Sequence, residues 1–176
     1  VNHHNFINDQ CHKISRDIIR FCLEHRAGTI ILGENKFWKQ NTSMGAQNNQ
    51  AFVSMPFSLL KNMITYKAER EGIAVITQEE SYTSRADITA MDYIPVYGVD
   101  DEKVDFSGRR IKRGLYRCSN GLVINADCNG AANIMRKAVP DAWNGTENFE
   151  FLALPEVSGF HELNPKSNSV RGIDAV

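Results

Sequence analysis

The sequence predicts an α/β fold, and its first 80 residues give the clearest signal. Two stretches with helical periodicity alternate there with two short apolar segments rich in β-branched residues. Apolar residues make up 42% of the 176-residue chain and charged residues 23%, which is typical of a globular domain. A helix–strand–helix–strand order favours helices packed on a parallel sheet.

The first helix is predicted over residues 5–25. Apolar side chains recur there every three or four residues, so they form one stripe on a helix whose other faces are charged. The stripe contains Ile7, Cys11, Ile14, Ile18 and Cys22. Gly28 suits the position just after the helix. We expect the cysteines of the stripe to be small core residues and not disulfide partners.

The next elements are a strand, a loop, a helix and a second strand. Residues 29–32 are apolar and mostly β-branched, which predicts a strand buried on both faces of a parallel sheet. Residues 33–54 are polar and predict a long loop. A helix then runs to about residue 71 from Pro56, which suits a first turn. Residues 73–77 predict a second buried strand.

The second half of the chain departs from this alternation. Residues 85–108 are irregular and acidic, whereas residues 111–117 and 122–125 predict the two arms of an antiparallel hairpin. A last helix is predicted over residues 129–138, with Asn129 as its N-cap. The remaining residues have no period, yet their aromatic side chains predict partial docking on the domain.

Charge and hydropathy exclude several classes of protein. The formal net charge is −1 and the isoelectric point is about 6.6, which disfavours a free-standing nucleic-acid-binding module, because such modules are usually basic. No apolar run approaches the roughly 18 residues that a membrane span needs. Polar residues near the start interrupt a signal peptide, so we expect a cytoplasmic protein with no membrane partner.

Two groups of carboxylates are candidates for a chemical site. Glu79 and Glu80 end the second strand, and ligands of open α/β sheets bind at such strand ends. Asp127 precedes the last predicted helix. Converging carboxylates hold Mg²⁺ or Mn²⁺ better than Zn²⁺, because hard oxygen ligands suit hard ions. The alternatives are a solvated strand end for the glutamates and an acid favoured by the helix dipole for Asp127.

A basic run at the predicted hairpin is a candidate for contact with a phosphate backbone. Five cations lie within nine residues of sequence: Arg109, Arg110, Lys112, Arg113 and Arg117. The alternative is a solvated hairpin face, because the charge of the whole chain is close to neutral.

Several motifs together resemble the C-terminal signature of TnpB-type proteins, the transposon-encoded relatives of type V CRISPR effectors. The motifs are Tyr82-Thr83-Ser84, residues 113–118 (RGLYRC) and residues 125–134 (NADCNGAANI). Upstream, residues 33–40 (GENKFWKQ) and parts of residues 56–73 agree with the same family. The resemblance covers residues 12–138 in the correct order, which is more specific than any single motif.

The resemblance implies an RNase H-like domain of the RuvC type. Members of the family use a guide RNA to find target DNA and cut it with two Mg²⁺ (or Mn²⁺) ions. Their metal ligands are an Asp on the first strand, a Glu and a final Asp, which Asp127 matches. The implied partners are guide RNA, target DNA and the N-terminal part of the same prokaryotic protein. Trp38 and Lys39 join the basic run as candidates for nucleic-acid contact.

The chain departs from the family pattern in three places. In the family, the strand with the first Asp precedes the helix that corresponds to residues 5–25. This sequence does not include that strand, so we expect this fragment alone to be inactive. Many relatives place the Glu where Gly33 stands, with Glu34 next to it, but a rearranged site could use Glu80. We favour Glu80, because it ends a buried strand. Of the two CxxC pairs of a zinc ribbon only Cys118 remains, so we expect no zinc.

The motifs also predict how the chain is organised. Residues 1–84 form a RuvC-like segment, residues 85–123 a degenerate zinc-ribbon-like insertion with a hairpin, residues 124–140 the final RuvC motif, and residues 141–176 a tail. We expect the C-terminal part of an RNA-guided DNA endonuclease. The alternative is an inactive RNA- and DNA-binding relative, transposon-associated or domesticated. A metabolic α/β domain is disfavoured, because no Gly-rich phosphate loop or nucleophile elbow is present.

Overall fold

A computed structural model describes residues 3–34, 44–99 and 104–155, with the backbone alone for residues 3–4 and 44–56. The elements, in chain order, are α1 (His3–Glu24), β1 (Thr29–Glu34), α2 (Met44–Arg70), β2 (Ala74–Glu79), β3 (Arg109–Lys112), β4 (Leu115–Arg117), β5 (Val123–Asn125), α3 (Ala126–Ala138) and a 3₁₀ helix (Glu150–Leu152). Within these residues, none of the helices combines the length and the apolar composition of a bilayer span.

Strands β1 and β2 pair in parallel, in register from Thr29 opposite Ala74 to Glu34 opposite Glu79. One face of this sheet packs through Ile30 and Val75 on a core shared with α1 and α2. The expected burial on both faces is wrong, because Ile76 in the middle of β2 is 40% exposed. Within the described residues the sheet has two strands, and on its other face helix α3 contacts the end of β1.

Helix α1 matches the expected span, but its buried stripe is rotated relative to the predicted one. The buried residues are Cys11, Ser15, Ile19 and Cys22. Ser15 is tolerated in the stripe because its hydroxyl donates to the carbonyl of Cys11 at 2.6 Å and accepts from the ammonium of Lys67 at 2.6 Å.

Helix α2 begins at Met44 and strand β1 ends at Glu34, so the predicted loop over residues 33–54 is wrong for residues 33–34 and 44–54. Pro56 lies inside the helix and not in its first turn. Met, Ala and Gln, which favour helices, are frequent before Pro56, and a proline removes only one intrahelical hydrogen bond. The expected loop residues 35–43 lie outside the described part of the chain.

The second sheet is a three-stranded antiparallel meander in the order β3-β4-β5. Strands β4 and β5 pair where the two predicted arms lie, with Tyr116 opposite Ile124. The first arm is divided into β3 and β4, because the chain turns at Gly114, whose φ of +77° is in the left-handed region that glycine adopts without strain.

Helix α3 starts three residues earlier than predicted. Its N-cap is Asn125, whose side-chain carbonyl accepts from the amides of Asp127 at 2.9 Å and Cys128 at 3.0 Å. Asn129, the predicted N-cap, lies inside the helix and is completely buried. The helix ends at Ala138, as predicted.

Two buried asparagines of α3 hold the irregular segment that follows β2. The amide of Asn133 donates to the carbonyls of Thr83 at 3.0 Å and Ala86 at 2.8 Å. The side chain of Asn129 donates to Ala86 at 2.9 Å and accepts from the amide of Ile88 at 3.3 Å. These bonds satisfy backbone groups that would otherwise be buried without partners.

The second core lies between α3, the meander and the chain after α3. Its buried members include Ile88, Tyr116, Ile124, Phe149 and Leu152. The indole of Trp143 donates to the carbonyl of Ala132 at 3.0 Å. The described part of the tail therefore docks on the domain, as the aromatic residues predicted.

A buried carboxylate connects the segment after β2 to the turn between β4 and β5. Asp87 is completely buried and accepts from the amide of Ser119 at 2.6 Å and from the amide and hydroxyl of Thr89 at 2.9 and 2.8 Å. Burial acts to raise the pKa of Asp87, but the hydrogen bonds from Ser119 and Thr89 outweigh it. The pKa therefore lies below its usual value.

We expect Asp87→Asn to lower the free energy of unfolding of the intact protein by on the order of 2 kcal/mol at pH 7, because an amide cannot accept all three bonds. A carboxylate with a lowered folded pKa stabilises the fold above its unfolded pKa of about 3.9 and loses this contribution as the pH falls through the folded value. The difference between wild type and variant should therefore persist at pH 7 and shrink below about pH 4.

Thermal unfolding of both proteins across this pH range measures the effect. Asp105→Asn is the matched control, because Asp105 is exposed and has no hydrogen bond within the described residues. Equal stability of the Asp87 and Asp105 variants at pH 7 would contradict the role of the buried carboxylate.

Candidate functional site

Glu80 follows directly after β2 and lies over the end of β1. Its amide donates to the carbonyl of Glu34 at 3.1 Å, and its own carbonyl accepts from the amide and hydroxyl of Thr83 at 3.2 and 2.8 Å. A Cβ atom on Gly33 would overlap the Glu80 carboxylate and would lie 2.9 Å from Cδ1 of Ile134. The missing side chain of Gly33 therefore provides the space that the carboxylate occupies.

Glu80 is a partly buried residue, and its carboxylate has no hydrogen bond or ion pair with any described residue. Among the described residues, none supplies a positive charge to this carboxylate.

The neighbouring Glu79 has a different environment, as the alternation of side chains along a strand predicts. Its carboxylate accepts from the ammonium of Lys137 and from the amide of Ser81, both at 2.5 Å. The side chains of Glu79 and Lys137 are only 15% and 8% exposed. Burial acts to raise the pKa of Glu79, but the hydrogen bonds from Lys137 and Ser81 outweigh it and lower the pKa.

Glu34 is also paired. Its carboxylate lies 3.7 Å from the ammonium of Lys61 on α2, and its side chain is 43% exposed. Glu34 is opposite Glu79 in the parallel register and adjacent to Gly33, so its side chain leaves the strand on the face opposite the Glu80 carboxylate. Glu34 and Glu80 are therefore not brought together by this sheet.

Asp127 lies in the first turn of α3 and is exposed. A carboxylate is favoured there by the helix dipole, so its position alone does not require a ligand. Its carboxylate has no hydrogen bond or ion pair within the described residues. Asp127 and Ile134, which is close to Gly33, are seven residues apart and share one face of α3. They are separated by about two turns, or about 10 Å.

Glu80 and Asp127 are thus two open oxygen donors on elements that pack together. Hard oxygen ligands of this kind fit Mg²⁺ or Mn²⁺. The described residues contain no cluster of three or more His, Cys, Asp or Glu side chains that could enclose a metal ion. The donor types fit, but within this part of the chain the set is smaller than two metal ions require.

The basic run forms an exposed strip on β3, β4 and the turn between them, and its five side chains are all exposed. Arg109 is directly opposite Arg117 in the antiparallel register. Like charges in this arrangement repel each other, and the structure shows no carboxylate partner for either one among the described residues. We call these five residues the basic strip: Arg109, Arg110, Lys112, Arg113 and Arg117. Trp38 and Lys39 lie outside the described residues.

Sequence reasoning missed the polar face of α3 that positions these groups. Asn129, Asn133 and Lys137 are spaced by four residues, so they share one face of the helix. Each contacts the chain between residues 79 and 88. A polar stripe with helical spacing on an otherwise alanine-rich segment was the signal that could have shown it.

We expect Lys137→Met to destabilise the intact protein by on the order of 3 kcal/mol, because it leaves the Glu79 carboxylate buried without a cationic partner. Adding Glu79→Gln to this variant should recover part of the loss. Chemical denaturation of the single and double variants measures both effects.

The matched control is Lys13→Met, which removes an ion pair of 2.7 Å to Asp9 on the surface of α1. We expect this change to cost less than about 1 kcal/mol, because Asp9 is 55% exposed. Equal losses for the two lysine variants would show that the Lys137 pair has no special structural role.

Comparison with known proteins indicates the class of protein to which the chain is similar. Residues 57–134 match the family described as Cas12f1-like, TNB domain. This segment runs from α2 into α3 and includes Glu80, the basic strip and Asp127. The resemblance drawn from the sequence motifs is confirmed: this match and two curated relatives show that the chain is similar to TnpB-like, type V CRISPR-related proteins.

Two curated relatives carry names that describe an activity. The chain is 29% identical over 149 residues to the CRISPR-associated endodeoxyribonuclease Cas12f2 of a Micrarchaeota archaeon. The aligned region covers 80% of this chain and 25% of that protein. It is 28% identical over 138 residues to the CRISPR-associated endodeoxyribonuclease Cas12f1 of Sulfoacidibacillus thermotolerans, covering 78% of this chain and 28% of that protein. The chain thus spans about a quarter of the length of these relatives.

Proposed function

We propose that this chain is the C-terminal part of an RNA-guided DNA endonuclease of the RuvC type and contributes Glu80 and Asp127 to its metal site. The observation that carries the proposal is the Glu80 carboxylate, which occupies the space left by Gly33 and has no partner among the described residues. Both curated relatives are named endodeoxyribonucleases, which supports DNA as the substrate. The remainder of the protein, a guide RNA and target DNA are the proposed partners.

Glu80 is preferred to Glu34 as the middle carboxylate for an electrostatic reason. The ammonium of Lys61 lies 3.7 Å from the Glu34 carboxylate, so a dication at Glu34 would have to compete with this cation. No described cation competes for Glu80, and the docking of residues 83–88 on α3 fixes its backbone. The rearranged site favoured by the sequence therefore also has the better electrostatics.

Asp127 is the second proposed ligand, presented by the first turn of α3. Its backbone is fixed by the Asn125 cap, and its carboxylate is open to solvent. When bound, two Mg²⁺ or Mn²⁺ ions about 4 Å apart would activate the attacking water and stabilise the leaving oxygen. The chain's own residues hold the carboxylates in place and keep them free of competing cations.

The first Asp of the resembling family has no counterpart in this chain, so we propose that the intact protein is the active unit and that this fragment alone is inactive. We also propose that the ribbon-like region holds no structural zinc. Burial and the charge of Asp87 raise the pKa of Cys118 to about 12, which favours its thiol over the thiolate that binds zinc. The Asp87 carboxylate holds the adjacent Ser119 amide, a connection that zinc ribbons obtain from their metal.

We expect Glu80→Gln to abolish cleavage by the intact protein, because the amide keeps the size of the side chain but loses the charge that holds the metal. Glu34→Gln should reduce cleavage only modestly. Asp127→Ala should also abolish cleavage and leave guide binding intact. Single-turnover cleavage of target DNA, with the protein purified on its co-expressed RNA and supplied with Mg²⁺, is the measurement.

We expect Gly33→Ala to reduce cleavage as well, because its Cβ would displace the flexible Glu80 carboxylate at little cost to the fold. Gly28→Ala is the matched control, since no atom lies within 4 Å of the added Cβ. If Glu34→Gln abolished cleavage while Glu80→Gln remained active, the proposal would be wrong, and Glu34 at the end of β1 would be the metal ligand.

The basic strip is proposed to contact the phosphate backbone of the nucleic acid. Each neutralised phosphate contributes about −0.9 to the log–log dependence of the affinity for duplex DNA on salt. We expect the triple variant Arg109→Gln, Arg110→Gln and Lys112→Gln to flatten this slope by about 0.9 for each phosphate that the variant no longer neutralises. The measurement is binding of target duplex by the protein–guide complex in chelator, so that no cleavage occurs.

A triple glutamine variant of Arg16, Arg20 and Arg70, which are exposed on α1 and α2, controls for the change in net charge. Equal slopes for the two triple variants would show that the basic strip is a solvated hairpin face that does not contact phosphate.

A further inference from the structure

In the segment that follows Glu80, the backbone carbonyls are bound by the rest of the domain, whereas Ser84 and Arg85 are exposed. The carbonyl of Arg85 accepts from the hydroxyl of Tyr116 at 2.7 Å, and those of Thr83 and Ala86 accept from the buried asparagines of α3. The side chains of Tyr82 and Arg85 make no hydrogen bond or ion pair with any described residue.

Tyr82 adopts an uncommon backbone conformation. Its φ is +63°, in the left-handed region that aromatic residues rarely occupy. The amides of Arg85 and Ala86 donate to its carbonyl at 2.9 and 3.1 Å and hold the chain in this turn. Backbone conformations of this kind are concentrated at functional sites, and this one lies two residues after Glu80.

Phe106 brings the two side chains into one group. Its ring centroid lies 6.3 Å from that of Tyr82, with 29° between the ring planes. The Arg85 guanidinium lies over the same ring, 5.1 Å from its centroid. Tyr82 and Phe106 are half-buried, whereas Arg85 is exposed. We call these three residues the platform: Tyr82, Arg85 and Phe106.

The platform combines two chemical features that bind single-stranded nucleic acid. Aromatic faces stack with unpaired bases of any sequence, and a guanidinium without a carboxylate partner pairs with phosphate. Phe106 precedes β3 by three residues, so the platform continues into the basic strip. Along the chain the platform thus lies between Glu80, which has no partner among the described residues, and the exposed cations of the basic strip.

We propose that the platform holds one nucleotide of single-stranded DNA beside Glu80. The base packs on the aromatic pair, and the Arg85 guanidinium contacts a phosphate near the scissile bond. The proposal rests on the proposed function, because DNA as the ligand comes from the nuclease activity, and it adds the residues that position the strand. Duplex DNA does not offer a free base face, so the ligand is the unpaired strand.

The experiment uses the intact protein with its guide RNA and the Glu80→Gln change, so that DNA binds without being cut. The probes are target-strand DNA oligonucleotides with 2-aminopurine at each nucleotide of the cleaved region in turn. We expect quenching at one position, and its loss in Tyr82→Leu and Phe106→Leu. Arg85→Gln should weaken single-strand binding about tenfold, and Tyr82→Phe should retain quenching because it keeps the ring.

Phe57→Leu and Arg70→Gln are the matched controls, because both residues are exposed on α2 away from the platform. Guide-RNA binding and melting temperature are measured for every variant. Tyr82→Met, Phe106→Met and Arg85→Met replace any variant that does not fold, because they also remove the ring or the charge. Affinity and quenching equal to the controls in all platform variants would overturn the inference. A loss confined to guide-RNA binding would also overturn it.

The proposed function is tested separately by the cleavage assay. If Glu80→Gln is dead while the platform variants bind DNA normally, the inference fails and the nuclease proposal stands. If the wild-type protein binds single-stranded DNA through the platform but never cuts it, the platform is supported and the nuclease proposal fails. In the active protein, platform variants should raise KM more than they lower kcat.

Discussion

The hydrogen bonds from two buried asparagine side chains on α3 to the segment after β2 determine where the groups of this site lie. Asn129 and Asn133 satisfy backbone groups of Thr83, Ala86 and Ile88 that have no strand or helix to pair with. An amide that both donates and accepts is suited to this role, and leaving such groups unpaired would carry a large desolvation cost. Glu80 before this segment and Tyr82 within it are held by the same contacts.

The environment of each carboxylate distinguishes the carboxylates that stabilise the fold from those that could bind a ligand. Asp87 and Asp92 accept several hydrogen bonds each, with Asp92 receiving the amides of Asp87 and Ser107 at 2.9 Å. Glu79 has a buried ammonium partner. Glu80 and Asp127 have none within the described residues. In an acidic region of sequence, the functional candidates are therefore distinguished by what their neighbours leave unpaired and not by residue type.

Much of the architecture followed from local patterns. The alternation of helical and β-branched segments predicted α1, β1 and β2, and the alternation of side chains along a strand predicted different environments for Glu79 and Glu80. The sequence misplaced the N-cap of α3, because Asn129 has the right residue type for a cap but is needed in the interior. It also overestimated the burial of β2, since the covering of a sheet face depends on distant elements that periodicity does not report. The unpaired state of Glu80 depends on tertiary contacts and was visible only in the structure.

The close approach of Glu80 to Gly33 has a consequence for how such a site can change. Two neighbouring parallel strands meet at one small volume, and only one of them can fill it with a side chain. A carboxylate could therefore pass from one strand to the other by paired substitution, with the charge staying where it was. A sequence with large residues at both positions is overcrowded, and a sequence with small residues at both leaves a cavity. The residues at the two positions are therefore expected to change together. The location of a ligand along the chain is then less constant than its location in space.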